Sequence, residues 1–218
     1  MSREAKILAA IAAVVAVGVS VLIIAGASNK SGGQPKAGGD QLVREDSYQT
    51  QKGAPVTLVE FGDYQCPACA AAQPTVEQLG EEYGPKLNVV FRNLPLTQLH
   101  KNAMASAEAA EAAGAQGKYY EMNSLLYQNQ AQWSENPNPI TLFVNYAQSL
   151  GLDTGRLQSE VEAAKYEDKI KRDLDDTTAL KLNSTPSFFV NGQRVESVGQ
   201  LKAAIEAALK TASPVPAK

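Results

Sequence analysis

The stretch of residues 56–72 contains the only two cysteines of the chain, Cys66 and Cys69, and it constrains the fold more than any other feature. Its first part, residues 56–61, is apolar and rich in β-branched side chains, which predicts a buried central strand. Pro67 favours the first position of a helix, and the alanines after it are strong helix formers. We therefore predict that Cys66 caps a helix that follows a buried strand, and that Cys69 lies in its first turn.

This placement predicts a redox-active pair of thiols. Side chains three residues apart on a helix are roughly 5–6 Å apart at Cβ, and a small adjustment brings them to the separation that a disulfide needs. The free amides and the positive dipole end at a helix N-terminus stabilise an anion. We predict that Cys66 is the more acidic and more nucleophilic thiol, and that Cys69 is the resolving thiol.

Two other interpretations of the pair stay open at this point. A Cys-x-x-Cys is also half of a structural zinc site, but such sites need about four ligands, and this chain offers no further cysteine and one histidine, His100. The pair could instead form an inert disulfide. Closing so short a loop removes little entropy from the unfolded chain, so such a disulfide would add little stability.

The N-terminal residues predict export. Residues 1–6, a predicted cytoplasmic stub, include two basic residues, and residues 7–27 form an uncharged apolar run. About 20 apolar residues cross a bilayer as a helix, and basic residues before them predict a cytoplasmic N-terminus. We predict a signal-anchor over residues 7–27, with secretion after cleavage near Ala27 as the alternative. In either case the remaining chain is extracytoplasmic, where disulfides persist.

The composition indicates one folded domain between two flexible segments. Residues 28–40, rich in glycine, serine and lysine, predict a flexible linker. Residues 211–218, with two prolines and no periodic pattern, predict a disordered tail. The formal net charge of −3 gives no indication of nucleic acid binding. Two cysteines are too few to staple a scaffold, so residues 41–210 must depend on a hydrophobic core.

Within residues 41–210 the pattern predicts an α/β domain with a helical insertion. Residues 87–91 form a second apolar strand after the cysteine helix, and a strand, helix, strand order is typical of a parallel unit. Ligands bind at the carboxyl ends of the strands in such sheets. Residues from about 101 to 182 carry only helical patterns. We interpret Leu42 to Arg44 as a short edge strand.

Three further signals are local. Trp133 lies in a polar connection, and we expect its ring to wedge between helices. Asn191-Gly192, between two β-rich runs, predicts a hairpin with a type I′ turn. Residues 201–210 predict a closing amphipathic helix.

Together these features resemble the DsbA-like branch of the thioredoxin superfamily. The resemblance rests on VEFGDYQCPAC, on FRNLPL with the helix after it, and on TPSFFVNG, and it runs from roughly Leu42 to Lys210. It implies a thioredoxin-like α/β fold with an inserted helical subdomain, here preceded by the N-terminal transmembrane helix. It also implies a cis peptide bond before Pro186, beside the cysteines, and a role for the backbone of Thr185 in pairing with a substrate peptide. A trans proline at the start of a strand is the alternative that local rules allow.

The resemblance also assigns roles to residues outside the cysteine motif. Glu60 matches a buried carboxylate near the second cysteine of the family, where burial raises the pKa and the carboxyl relays the Cys69 proton. A solvent-facing strand position is the alternative for Glu60. His100 is a possible site residue, although a lone histidine is more often structural.

The two residues between the cysteines, Pro67 and Ala68, are supporting residues of the motif. The best-known DsbA sequence has a histidine at the place of Ala68, and a neighbouring imidazolium helps to hold a thiolate. A stabilised reduced form makes a strong oxidant. We therefore expect a milder oxidant, between roughly −120 mV for DsbA and −270 mV for thioredoxin.

The resemblance implies an extracytoplasmic thiol-disulfide oxidoreductase that introduces disulfides into exported proteins with free thiols. It implies no bound cofactor and no metal, and re-oxidation by a quinone-linked membrane partner of the DsbB or VKOR type. We expect a monomer. A reductase or isomerase fed by a membrane electron donor is the alternative within the same chemistry. An alternative of a different class is a metal-delivery or peptide-binding module, with Cys66, Cys69 and His100 holding copper.

Overall fold

The computed structural model describes residues 39–212. The predicted stub and signal-anchor over residues 1–27, nearly all of the linker, and residues 213–218 of the tail lie outside this part of the chain. Within residues 39–212, no helix has the length and apolar character that a membrane span requires.

A four-stranded mixed sheet forms the centre of the domain. The strands are β1 Val56–Gly62, β2 Leu87–Asn93, β3 Ser187–Val190 and β4 Gln193–Val195. Their spatial order is β2-β1-β3-β4, so β1 is an interior strand. β1 and β2 run parallel, whereas β3 is antiparallel to both β1 and β4. The predicted central strand and the parallel strand, helix, strand unit are confirmed.

Helices surround this sheet, and most of them lie between β2 and β3. The described helices are α1 Gly39–Leu42, α2 Pro67–Tyr83, α3 Ala103–Gly114, α4 Tyr119–Gln128, α5 Gln130–Trp133, α6 Ile140–Ser149, α7 Thr154–Glu162, α8 Glu167–Ala179 and α9 Leu201–Thr211. The run from α3 to α8 is the helical insertion that the sequence predicts. The cysteine helix α2 continues through Pro74, whose ring lies on its exposed side.

The alternation of side chains along β1 divides the core between the two faces of the sheet. Leu58 packs with Val76 of α2 and with residues of α9 on one face. Phe61 packs with Leu182 on the other face, in a cluster that includes Leu42. Glu60 has the same parity as Leu58, so its side chain lies on the face that α2 covers.

Trp133 joins helices of the insertion, as expected. Its side chain is fully buried, its ring packs edge-on against Phe143 at a centroid distance of 5.4 Å, and its Nε1 donates a hydrogen bond to the carbonyl oxygen of Leu126 at 2.8 Å. The apolar ring of Trp133 is therefore packed, and its N–H group is hydrogen-bonded, inside the protein.

The hairpin between β3 and β4 is also confirmed. Asn191 and Gly192 have φ values of 45° and 83°, the positive values that a type I′ turn requires. The closing helix α9 extends to Thr211, so this residue, assigned to the tail from sequence, belongs to the folded domain.

The edge strand predicted over Leu42 to Arg44 is wrong. α1 ends at Leu42, whose side chain is buried and whose carbonyl oxygen accepts a hydrogen bond from Nη1 of Arg92 at 2.9 Å. Arg44 pairs instead with Asp176 of α8, at 2.7 Å. The backbone and side chains here are held by contacts with arginine and aspartate side chains rather than by a strand ladder.

A buried ionic network fixes the insertion to the sheet. Arg92 of β2, 1% exposed, donates from Nε to Asp173 at 2.7 Å and from Nη2 to Asp176 at 2.6 Å. Both aspartates belong to α8. The Asp173 carboxylate also accepts from the backbone N–H of Asn93 at 2.8 Å. A buried arginine is tolerated only with such partners.

The segment before β1 covers the outer edge of β2. The backbone N–H of Thr50 donates to the carbonyl oxygen of Val89 at 3.1 Å, and the Thr50 hydroxyl accepts from the N–H of Val89 at 2.8 Å. The Tyr120 hydroxyl of α4 donates to the same carbonyl at 2.6 Å. These bonds pair backbone groups that an open edge strand would leave free.

Candidate active site

The two cysteines lie where β1 gives way to α2. Cys66 is the N-cap of the helix, with φ of −73° and ψ of 122°, and Pro67 occupies the first helical turn. The N–H of Cys66 donates to the carbonyl oxygen of Asp63 at 3.0 Å, which closes the turn that leads into the helix. Cys66 is 8% exposed and Cys69 is fully buried. One thiol therefore lies nearer the surface and the other lies behind it, and both are free thiols in this structure.

The surroundings of the pair make the two thiols chemically unequal. A hydrogen bond from Cys69 lowers the pKa of Cys66 to about 5, and the hydroxyl of Thr185 and the backbone N–H groups of Cys69 and Ala68 act in the same direction against the effect of burial. The pKa of Cys69 is raised by the same hydrogen bond, by burial and by the charge of Glu60. At neutral pH Cys66 is a thiolate and Cys69 carries the shared proton.

Thr185 and Pro186 lie directly against the nucleophilic sulfur. The peptide bond between them is cis, as the resemblance implies. The carbonyl oxygen of Thr185 lies 3.7 Å from Sγ of Cys66, although 119 residues separate the two in sequence. The start of β3 thus forms one wall of the site, and Thr185 both contacts the reactive sulfur and lowers its pKa.

Glu60 lies inside the protein, beneath the cysteines. It is 1% exposed, so the solvent-facing alternative is wrong. Burial raises its pKa to about 8, and the charge of the Cys66 thiolate raises it further in the same direction. Its Oε1 has no hydrogen-bond partner among the described residues. Its role in proton transfer stays a prediction.

Asp63 is a site residue that the sequence reasoning missed. Its buried carboxylate accepts from the backbone N–H groups of Gln65 at 2.7 Å and Leu96 at 2.8 Å, and its Oδ2 lies 2.7 Å from Nδ1 of His100. His100 therefore belongs to the active-site turn through Asp63, and the structure does not bring it to the cysteines. The available signal was an acidic residue directly after the carboxyl end of a central strand.

Residues of the helical insertion form hydrogen bonds with the turn that precedes α2. Nε2 of Gln130 donates to the carbonyl oxygens of Tyr64 at 2.7 Å and Cys66 at 3.0 Å. Nε2 of Gln65 donates to the carbonyl oxygen of Ser134 at 2.6 Å. These amide contacts hold the loop before α2 in one position, which a site that exchanges disulfides needs for reproducible geometry.

The copper alternative requires Cys66, Cys69 and His100 to come together. Across residues 39–212, no group of three or more histidine, cysteine, aspartate or glutamate side chains is arranged to hold a metal ion. His100 instead faces the Asp63 carboxylate.

A mixed sheet flanked by helices, with a Cys-x-x-Cys pair at a helix N-terminus and a cis-proline beside it, defines a thioredoxin-like oxidoreductase. The family model described as thioredoxin matches residues 44–207, and the chain belongs to the thioredoxin family. A thioredoxin-like oxidoreductase from Silicibacter pomeroyi is 31% identical, with a TM-score of 0.68, and the match covers 81% of this chain and all of that one. The enzyme class predicted from the sequence, a protein thiol-disulfide oxidoreductase, is confirmed.

More distant structures share the fold. Oxidised BdbD from Bacillus subtilis is 21% identical with a TM-score of 0.67, over 73% of this chain and 90% of that chain. MdbA, a thiol-disulfide oxidoreductase from Corynebacterium diphtheriae, is 22% identical with a TM-score of 0.60, over 72% of this chain and 84% of that chain.

Curated relatives carry a different name. A protein named Na⁺/H⁺ antiporter NhaA 1 from Salinispora arenicola is 39% identical over 149 residues, which is 68% of this chain and 22% of that protein. One of the same name from a Mycobacterium species is 36% identical over 169 residues, which is 73% of this chain and 26% of that protein. The chain thus spans about a quarter of the length of the curated relatives that it matches.

Proposed function

We propose that this protein oxidises pairs of thiols in exported proteins through the Cys66 and Cys69 disulfide. The observation that carries the proposal is the inequality of the two thiols. Cys66 lies near the surface with a pKa lowered to about 5, and Cys69 is fully buried with a raised pKa. A client thiol can reach only the first of them.

The reaction proceeds by two thiol-disulfide exchanges. A client thiolate attacks Sγ of Cys66 in the enzyme disulfide, the bond to Cys69 breaks, and Cys69 leaves with the electron pair and takes up a proton. A second client thiolate then attacks the client sulfur of the mixed disulfide and releases Cys66 as a thiolate. The client loses two electrons and gains a disulfide, and the enzyme gains both electrons.

The low pKa of Cys66 supports the oxidising direction. A thiolate that the protein stabilises favours the reduced enzyme, so the disulfide form is the stronger oxidant. A reductase or isomerase would use the same residues in the reverse direction. The lowered pKa makes Cys66 a good leaving group, which favours release of an oxidised client.

The proposed location is the outer side of the cell membrane. The apolar run of residues 7–27 would anchor the chain as a single-pass signal-anchor, or would be removed by cleavage near Ala27. A quinone-linked membrane protein of the DsbB or VKOR type would re-oxidise the thiols. The clients would be exported proteins with free thiols. The oxidoreductase itself would act as a monomer.

The experiment compares three forms of the purified protein in one assay. A reduced peptide with two cysteines is mixed with the oxidised protein, and formation of the peptide disulfide is followed by mass. Cys66→Ser should abolish oxidation. Reduced Cys69→Ser is mixed instead with the disulfide form of the peptide, and it should accumulate a mixed disulfide, because the Cys66 thiolate attacks the peptide disulfide, one peptide thiolate leaves, and the resolving thiol is missing.

The direction of electron flow is measured separately. Alkylation of intact cells followed by a gel shift reports whether Cys66 and Cys69 are oxidised or reduced, and a mostly oxidised protein is expected for an oxidase. A mostly reduced protein would contradict the oxidase and favour a reductase. If Cys66→Ser oxidised and reduced the peptide as fast as the parent protein, the proposed function would be wrong.

A further inference from the structure

A cavity of about 530 Å³ lies between α2, β2 and α4. Its volume is within the roughly 300–1,000 Å³ that is typical of small-molecule binding sites. Its lining includes Glu81 of α2 and Gln128 of α4, which are exposed, and Glu60 of β1, which is buried. The cavity therefore extends from the surface into the interior of the domain.

Three carboxyl groups line this cavity at three depths. Glu60 is 1% exposed, Glu77 is half-buried and Glu81 is exposed. Glu77 and Glu81 are four residues apart on α2, and side chains at this spacing are roughly 5–6 Å apart at Cβ. No lysine, arginine or histidine is among the described residues that line the cavity. Acidic groups are thus spread along it without a basic side chain beside them.

The innermost carboxyl group lacks a partner. Oε1 of Glu60 is buried without a hydrogen-bond partner among residues 39–212. Oε1 of Glu77, by contrast, accepts from Nε2 of Gln73 at 3.0 Å and from the hydroxyl of Ser124. Leaving a buried polar atom unpaired costs roughly 1–3 kcal/mol. A ligand with a hydrogen-bond donor at its inner end would remove this cost at Glu60.

The wall between the carboxyl groups includes apolar side chains. Val76 of α2 and Val89 and Phe91 of β2 line the cavity. Contact with such side chains removes methylene groups of a ligand from water, which is favourable by about 0.8 kcal/mol for each group that is fully buried. This wall therefore suits a ligand with an apolar middle.

The acidic groups are not arranged around one point. Across residues 39–212, no three acidic, histidine or cysteine side chains are placed to hold a metal ion. Carboxyl groups at different depths match instead an elongated molecule whose own charges are separated. Ammonium groups joined by methylene groups have this form, and each ammonium group is a cation with three hydrogen-bond donors.

We propose that this cavity is a binding site for a linear organic diamine. One ammonium group lies against Glu60, the methylene chain follows the apolar wall, and the other ammonium group lies between Glu77 and Glu81. The inner ammonium group donates to Oε1 of Glu60, so the buried carboxylate and the buried cation are paired with each other.

The cavity is separate from the surface where a client meets the enzyme. Among the described residues that line it, neither cysteine is present, and neither is Thr185 or Pro186, which lie beside Sγ of Cys66. A diamine and a client can therefore be bound at the same time. The inference goes beyond the proposed function, and its test needs no client.

Binding of the diamine and ionisation of Glu60 are linked. Burial raises the pKa of Glu60 to about 8, so about a tenth of the free protein carries the Glu60 carboxylate at pH 7 and about three quarters carries it at pH 8.5. Only the carboxylate form pairs with the ammonium group. The affinity for the diamine should therefore rise about eightfold between these pH values.

The other groups that face Glu60 keep their charge over this range. They are the thiols of Cys66 and Cys69 and the carboxylate of Glu77 from α2, and the hydroxyl of Tyr127 from α4. The pKa of Cys66 is lowered to about 5, whereas the pKa values of Cys69 and Tyr127 are raised by burial and neighbouring groups. The register partners of Glu60, Phe91 and Phe188, carry no charge.

The test measures binding to the full chain, kept reduced, by calorimetric titration at pH 7 and pH 8.5. The probes are a linear diamine with five methylene groups, the monoamine of the same length and the diol of the same length. The monoamine should bind about two- to fivefold more weakly than the diamine, because it lacks the outer ion pair. The diol should not bind measurably.

Four variants locate the diamine. Glu60→Gln should weaken its binding at pH 8.5 by about tenfold or more and remove the rise with pH, because a charged partner is lost. Glu77→Gln should weaken it about two- to fivefold and keep the rise. Ser124→Leu narrows the cavity, keeps all three carboxyl groups and should also weaken binding. Glu82→Gln, on the same helix but paired with Lys202 outside the cavity, should leave the affinity within about twofold.

Three results would each overturn the inference. The first is no binding of the diamine at pH 8.5. The second is equal affinity of Glu60→Gln and the parent protein, which would place the diamine on surface carboxylates. The third is a diol that binds as tightly as the diamine, which would indicate a purely apolar site. A failed peptide oxidation assay would overturn the proposed function and leave these measurements valid.

Discussion

Nδ1 of His100 lies 2.7 Å from Oδ2 of Asp63, three residues before the nucleophilic cysteine. The same carboxylate accepts two backbone N–H groups, from Gln65 in the active-site turn and from Leu96 in the loop after β2. Asp63 thus joins the carboxyl ends of the two parallel strands. Fixing these two loops to each other sets the position from which α2 presents Cys66.

We expect Asp63→Ala to lower the free energy of unfolding by about 3 kcal/mol or more, because it leaves buried donors without an acceptor. His100→Ala should cost about 1 kcal/mol, since it removes one of the three hydrogen bonds. The control is Lys118→Ala, which breaks an exposed pair with Glu121 and should cost less than about 0.5 kcal/mol. Urea denaturation measures all three variants. Equal losses for Asp63→Ala and His100→Ala would contradict a joining role for Asp63.

Glu60 should make the reduced protein less stable as the pH rises. Burial raises its pKa from the ordinary 4.5 to about 8, so the native state keeps a proton that the unfolded chain releases between these values, and stability falls through this window. Glu60→Gln removes the titration, and we expect it to stabilise the protein by about 3 kcal/mol at pH 7 and by little at pH 4.5.

Denaturant titrations of reduced protein at several pH values measure this effect. Glu45→Gln, at an exposed position before β1, is the control and should change stability little at either pH. An equal gain for Glu60→Gln at pH 4.5 and pH 7 would indicate a packing effect in place of a buried proton.

The reduction potential should depend on the exposed residue between the cysteines. Ala68 is exposed, so Ala68→His fits without repacking and adds a cation close to the Cys66 thiolate. We expect this variant to be more oxidising by roughly 30 mV or more, from a parent value between about −120 and −270 mV. Equilibration with glutathione buffers measures both. Ala68→Gln adds a neutral side chain of similar size and should leave the potential near that of the parent, and an equal shift in both variants would rule out charge as the cause.

The buried arginine of β2 should be far more important for stability than an exposed one. Arg92→Met leaves Asp173 and Asp176 buried without their cation, and we expect a loss of about 3–5 kcal/mol. Arg172→Met breaks an exposed pair with Asp46, at 2.6 Å, and should cost between 0 and about 1 kcal/mol. Thermal or urea unfolding compares the two variants. Similar losses would show that the buried ion pairs of Arg92 add no more stability than an exposed pair.

The sequence predicted the features that short-range signals determine. A proline at the first helical position and a run of alanines are sufficient to locate α2 and the Cys66 cap. Asn191-Gly192 is sufficient to locate the hairpin, because few residues accept its positive φ values. Both depend on neighbours within a few positions, which is why local reasoning succeeded there.

The sequence did not predict contacts between distant segments. His100 lies 37 residues from Asp63, and Asp173 lies 81 residues from Arg92. No periodic pattern records either pairing, because each depends on how the insertion packs against the sheet. The error at Leu42 has the same origin, since its carbonyl oxygen bonds to Arg92 across the fold.

The hydrogen bonds between Thr50 and Val89 have a consequence for how this protein meets unfolded polypeptides. A strand with a free outer side is a template onto which any extended chain can add itself, and repeated additions lead to fibres. At Val89 of β2 that side is already bonded to Thr50 of the same chain. An extended polypeptide would therefore find the N–H and carbonyl groups of Val89 already paired, and it could not add to β2 at this point.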